Sequence, residues 1–202
     1  MKHEFKILFG ILAASAVLFL MFAGRAGTPD KVRITAEDPS IGRTDAPVTI
    51  VVFGDFMCHY TKDFYEQIFP SIKERYVDSG KVKIVYKHFA TEERSKIESE
   101  ASLCANDQGK FWQFASLAFN RTGADEQNQT LYLTGYAEAI GLDLSEFSSC
   151  IANRVHRDDV AMDYDEGLRL KIPGTPTFFV NGLKIEGHVP VERFDEVLSK
   201  FA

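Results

Sequence analysis

Pro47-Val-Thr-Ile-Val-Val-Phe53 runs into Gly54-Asp-Phe-Met-Cys58-His-Tyr-Thr61 and on into Lys62-Asp-Phe-Tyr-Glu66. The first stretch is an apolar strand. In the third, Phe64, Ile68, Ile72 and Tyr76 recur at helical spacing until Ser79-Gly80, after which Val82, Ile84 and Tyr86 alternate with Lys83, Val85 and Lys87 in strand fashion. A strand, a helix and a second strand in this order predict a β-α-β unit, and the right-handed crossover makes the two strands parallel. The link between strand and helix carries Cys58, so the thiol falls at a helix N-terminus. Unpaired backbone N–H groups and the positive end of the helix dipole favour a thiolate there, and the thiolate is the form that attacks disulfides.

Working outward, residues from about Glu92 to Asp159 read as almost wholly helical, with segments at Ala101–Asn106, Phe111–Asn120, Gln129–Ile140 and Leu144–Asn153. A further helix is expected over about Asp158–Leu170. Beyond it, Ile172-Pro-Gly-Thr-Pro176-Thr-Phe-Phe-Val-Asn-Gly182 places a Thr-Pro step before a short apolar strand that closes on an Asn-Gly turn, and Leu183–Ile185 forms the return strand. Val191–Phe201 ends the chain as a helix.

Phe53-Gly-Asp-Phe-Met-Cys58, Cys104-Ala-Asn-Asp-Gln-Gly-Lys-Phe-Trp112 and Gly174-Thr-Pro-Thr-Phe-Phe-Val-Asn-Gly182, with Asp38-Pro-Ser-Ile-Gly42 and Ala46-Pro-Val-Thr49 before them, resemble DsbA-like thiol:disulfide oxidoreductases of the thioredoxin superfamily. The resemblance covers about Asp38 to Ala202 and implies an α/β, thioredoxin-like fold with an all-helical insertion. It implies that Pro176 is a cis-proline opposite Cys58 and that Thr175 offers main-chain hydrogen bonds to an extended substrate. Members of this family usually carry Cys-x-x-Cys, whereas the fourth position here is Thr61. The resolving thiol is thereby removed, and Thr61 is either natural or an introduced substitution. The family's quinone-linked membrane partner presumes a dithiol and is not carried over, so the redox partner is left unassigned.

Candidate catalytic residues are therefore Cys58, His59 and Thr61. A protonated His59 would favour the thiolate, and the Thr61 hydroxyl, three residues on, can donate to the sulfur; the alternative for His59 is a solvated helix-start residue. Tyr60, Thr175 and Pro176 are candidate substrate contacts. Asp55 assists proton movement or caps the turn. A thiolate that attacks a substrate disulfide forms a mixed disulfide, which a Cys-x-x-Cys enzyme releases with its second thiol. With Thr61, release falls to the substrate's own freed thiol or to an external one. That chemistry suits a monothiol oxidoreductase or isomerase acting on exported proteins with cysteines or disulfides. The competing reading is a non-catalytic substrate-binding or chaperone module on the same scaffold, whose binding would survive Cys58→Ala.

At 202 residues the chain is long enough for one domain with a sizeable insertion. Its net charge is −6, and Lys2, Lys6 and Arg25 against Glu4 alone leave the remainder more acidic still, which excludes nucleic acid as a partner. Ile7–Ala23 is an apolar or small-residue run of 17 behind a Lys-containing start. Its length lies between a signal-peptide core and a bilayer span, so residues 1–26 read as a signal peptide or an N-terminal membrane anchor. Both send the rest of the chain outside the cytoplasm, as a secreted, periplasmic or outward-facing anchored protein. Residues 27–46 read as a linker, and 47–202 as the domain, with the insertion at about 92–159. Three cysteines in an exported chain suggest one bridge and one free thiol. Cys104 and Cys150 are the natural structural disulfide, with two buried reduced cysteines as the alternative. No Cys-x-x-Cys or His-x-x-x-His pair is present, so neither metal nor cofactor is expected.

Overall fold

The structure, a computed structural model, describes residues 31–120 and 128–201. Five strands form one mixed sheet: β1 (Ser40–Ile41), β2 (Val48–Gly54), β3 (Val82–His88), β4 (Thr177–Val180) and β5 (Leu183–Glu186). They stand in the order β1-β3-β2-β4-β5. β2 and β3 are parallel, with Ile50 opposite Ile84, and every other pairing is antiparallel. The long helix α1 (residues 59–77) makes the crossover between β2 and β3.

β2 and β4 lie in the middle of the sheet and carry apolar side chains on both faces. Val48, Ile50 and Val52 of β2, with Phe178 and Val180 of β4, face the larger core, which α1 and the C-terminal α7 (Val191–Leu198) cover. Val51, Phe53 and Phe179 point the other way, into a smaller core with Phe89, Leu170 and Ile172. Burial on both sides explains why Val-Thr-Ile-Val-Val-Phe reads as a continuous apolar run rather than an alternation.

Between β3 and β4 stand α2 (Glu93–Asp107), α3 (Phe111–Phe119), α4 (Gln129–Ala139), α5 (Leu144–Ala152) and α6 (Arg157–Arg169). The thioredoxin-like α/β fold with a helical insertion is thus the observed architecture. A disulfide joins Cys104 of α2 to Cys150 of α5.

Two expectations need correction. The spacing Phe64, Ile68, Ile72, Tyr76 presumes a regular α-helix. In α1, however, Phe64–Ile68 and Lys73–Val77 are π-helical, and the buried apolar positions are Phe64, Phe69, Ile72 and Val77. Each wide turn advances the buried stripe by five residues instead of four. Pro70 sits just past the first of them; it has no N–H to return to the preceding turn, and a widened turn is how a helix absorbs that loss. The segment expected as a linker is also docked by its C-terminal half. Ser40–Ile41 pairs with β3, Tyr86 N–H donates to the Pro39 carbonyl at 2.8 Å, and Trp112 Nε1 donates to the Ser40 carbonyl. A two-residue strand is too short to leave a period in the sequence. The apolar run at 7–23 lies outside the described residues; among those described, no helix is long and apolar enough to cross a membrane.

Candidate active site

β2 ends at Gly54, and a tight turn carries the chain into α1. Asp55 builds that turn. Its carbonyl accepts the Cys58 N–H at 3.1 Å, and its Oδ1 accepts the Met57 N–H at 2.8 Å. Cys58 then takes the N-cap position with extended backbone (φ −81°, ψ 119°), and its carbonyl starts the helix by accepting from Lys62 at 3.0 Å. Strand and turn together therefore fix where the sulfur points.

It points at the loop before β4. The Thr175–Pro176 peptide bond is cis, and Cys58 Sγ donates to the Thr175 carbonyl at 3.2 Å. Residues 117 apart in sequence meet here. Cys58 is half-buried, Thr175 is half-buried and Pro176 is buried, whereas Met57, His59 and Tyr60 are exposed around the thiol. Tyr60 is 58% exposed and lies near-parallel to His188, the rings 6.4 Å apart. His188 follows β5 and has no spacing relation to Cys58, so nothing in the sequence signalled it.

His59 and Thr61 are placed differently from the roles suggested by proximity. The His59 ring turns along the helix to Asp63, with Nε2 3.2 Å from Oδ2, because successive helical residues do not share a face. Thr61 is 1% exposed, and its Oγ1 faces inward to accept the Asp55 N–H at a long 3.5 Å. The partner of the sulfur is accordingly the Thr175 carbonyl.

Beneath the thiol lies a buried polar layer. The Asp55 carboxyl accepts a short hydrogen bond from Ser95 Oγ of α2, and its pKa is pushed up by burial, against the opposing pull of the Ser95 and Met57 bonds. Tyr86 Oη is buried without a hydrogen-bond partner among the described residues, and its phenol is pushed up by burial and then by nearby acidic groups, Asp55 first. His88 is fully buried with Nε2 3.2 Å from Ser102 Oγ; burial, and next the charge of Lys87, depress its pKa to about 3, so it is neutral. None of Ser95, Tyr86 or His88 follows from a local motif, because α2 and β3 meet Asp55 only through the fold. On the opposite side of β3, the largely buried ion cluster of Lys87 Nζ with Asp38 (2.6 Å) and Asp163 (2.8 Å) ties the N-terminal segment and α6 to the sheet.

This arrangement presents one accessible sulfur at a helix start, an adjacent backbone carbonyl, and exposed aromatic and apolar side chains beside it. It contains a single free cysteine, so it can form a covalent bond to a substrate sulfur without an internal thiol to break it.

Comparison with known proteins finds relatives of two kinds. The family described as Thioredoxin matches residues 35–200. Disulfide bond formation protein D of Bacillus subtilis is 29% identical over 175 residues, which cover 80% of this chain and 76% of that protein. The Na(+)/H(+) antiporter NhaA 1 of Salinispora arenicola is 34% identical over 165 residues, 80% of this chain, and the chain spans only 24% of the antiporter's length. The crystal structure of oxidised BdbD from Bacillus subtilis matches with a TM-score of 0.76 at 27% identity, over 84% of this chain and 95% of that one.

Proposed function

The chain belongs to the thioredoxin family, and from that premise we propose that it is an extracytoplasmic monothiol thiol:disulfide oxidoreductase or isomerase that acts on exported proteins through a Cys58 mixed disulfide. The observation that carries this reading is the Cys58 sulfur, half-buried at the start of α1 and 3.2 Å from the Thr175 carbonyl, with Thr61 in place of a second thiol. The relatives named for disulfide bond formation and the oxidised BdbD structure support the same chemistry.

In the proposed reaction the Cys58 thiolate attacks a substrate disulfide. A Cys58–substrate disulfide forms and the other substrate sulfur leaves as a thiolate. If that freed thiolate, or another on the same substrate, attacks the substrate sulfur of the adduct, Cys58 is released and the substrate keeps its oxidation level with altered pairing. If an external thiol attacks the Cys58 sulfur instead, the substrate leaves with both its thiols free, and a second external thiol then releases Cys58 and forms the external disulfide, so two external thiols supply the two electrons that the substrate gains. The Thr175 backbone, cis-Pro176 and the Tyr60 ring form the surface on which an extended substrate lies. The N-terminal run, in this reading, exports the domain and either leaves or anchors it.

The test is adduct trapping. The full chain is mixed with a disulfide-bonded peptide, quenched in acid and weighed by mass spectrometry. Wild type is expected to accumulate a Cys58-linked adduct, Cys58→Ser none, and Thr61→Cys markedly less, because the introduced thiol resolves it. Absence of any adduct from wild type sinks the catalytic reading, and peptide binding that survives Cys58→Ala then favours a binding module.

A further inference from the structure

Away from Cys58, the fold assembles a second sulfur-containing cluster. Cys104 of α2, Cys150 of α5 and His156, at the N-cap of α6, come together so that the two sulfurs and an imidazole nitrogen all lie within 4.8 Å of one another. The sequence gives no local metal pattern here, since 46 residues separate the cysteines. We propose that when the Cys104–Cys150 bridge is reduced, these three residues bind a zinc-class divalent transition metal.

The donor set suits such an ion. Two thiolates and one imidazole are borderline-soft ligands of the kind zinc and cobalt take in four-coordinate sites, with metal–sulfur bonds of about 2.3 Å and metal–nitrogen bonds of about 2.0 Å. The cysteine Cα atoms are 6.0 Å apart, so two separated sulfurs can reach one ion without moving α2 from α5. His156 is already held by carboxylates on both nitrogens: Nδ1 is 2.7 Å from Asp159 Oδ2, and Nε2 is 2.8 Å from Asp107 Oδ2. Whichever nitrogen takes the metal, the other keeps a carboxylate partner, the arrangement that orients metal-binding imidazoles. The displaced carboxylate is then at hand as the fourth ligand. A cavity of about 270 Å³, lined in part by Leu103, Asp107, His156 and Asp159, opens on the imidazole side of the cluster.

The chemistry balances with an external thiol as reductant. Two thiol molecules transfer two electrons to the bridge, giving two cysteine thiols and one external disulfide. Metal binding releases both cysteine protons and the N–H proton of whichever imidazole nitrogen takes the ion, so that His156 binds in its neutral form. Reoxidation by an external disulfide, the reverse exchange, passes two electrons to that disulfide, re-forms the bridge and ejects the ion, so occupancy reports the redox state around the domain. This inference is independent of the chemistry at Cys58.

The test uses the full chain carrying Cys58→Ser, reduced with dithiothreitol, freed of it without oxygen, and titrated with cobalt(II). One equivalent of cobalt is expected to produce a thiolate-to-metal charge-transfer band that one equivalent of zinc abolishes, while the oxidised protein produces none. His156→Ala in the same background is expected to weaken cobalt binding by about 10-fold or more. No band, or equal affinity with and without His156, overturns the proposal. If reduction unfolds the chain, recovery of the helical circular dichroism by one equivalent of zinc, and its failure with His156→Ala, supports the site, whereas no recovery overturns it.

Discussion

Gly54 shows how closely the residues around Cys58 are packed. A Cβ there would collide with Tyr86 Oη and stand 2.9 Å from Thr61 Cγ2, so the end of β2 is a position where backbone must touch side chains. Thr61 is thus wedged between the strand end and the buried layer, which accounts for an inward hydroxyl that serves Asp55 rather than the sulfur. Gly54→Ala is expected to destabilise the fold by about 1–3 kcal/mol, the usual range for overpacking a filled core, and urea denaturation measures it. An unchanged midpoint would mean that Tyr86 moves aside freely. The position of the free Cys58 at the start of α1 was legible from its place between strand and helix. The company it keeps was not: Thr175 was reached only through a resemblance, and Ser95, Tyr86 and His188 come from distant elements without a shared period.

At the scale of elements, α1 departs most from its pattern. Apolar spacing located the helix, but its two wide turns exchange Ile68 and Tyr76 for Phe69 and Val77 as buried positions. Rings gather where the wide turns place them: Phe69 stacks on Tyr65 and on Trp112 of α3, at 5.1 and 5.3 Å, which ties α1 to the insertion. The insertion itself is closed by the Cys104–Cys150 bridge across 46 residues. Replacing both cysteines by serine is expected to cost about 2–4 kcal/mol, because the unfolded chain regains the freedom that the loop removes. Thermal unfolding then shifts down by on the order of 10 °C for a domain of this size, and a shift within error would show that α2–α5 packing alone holds the insertion.

For the whole molecule, the sheet is a central layer with cores on both sides, and the polar groups buried with it give the fold a pH dependence. His88 is fully buried, and its folded pKa of about 3 lies below the ordinary 6.5. Between those values the unfolded chain binds a proton that the folded chain refuses. The stabilisation from a neutral His88 is therefore complete above about pH 6.5 and is lost as pH falls, at up to roughly 1.4 kcal/mol per pH unit. Urea denaturation of wild type at pH 7, 6 and 5 is expected to show falling stability, and His88→Phe, whose ring would lie among Phe56, Tyr86 and Phe111, a flatter profile over the same range. Parallel profiles would remove His88 as the cause.

The amino-acid sequence by itself determined the order of elements from β2 onward, the parallel β2–β3 pair, the helical insertion and the position of the free thiol. Each of these rests on local periodicity, on turn chemistry or on the strong preference of a β-α-β crossover for one hand. Only the tertiary structure decided which residues stand around that thiol, the docking of Ser40–Ile41 on β3, the widened turns of α1, and the meeting of Cys104, Cys150 and His156. The physical reason is the same in each case. These contacts join segments whose separation in the chain far exceeds any helical or strand period, so their geometry is set by how the layers pack rather than by neighbouring residues.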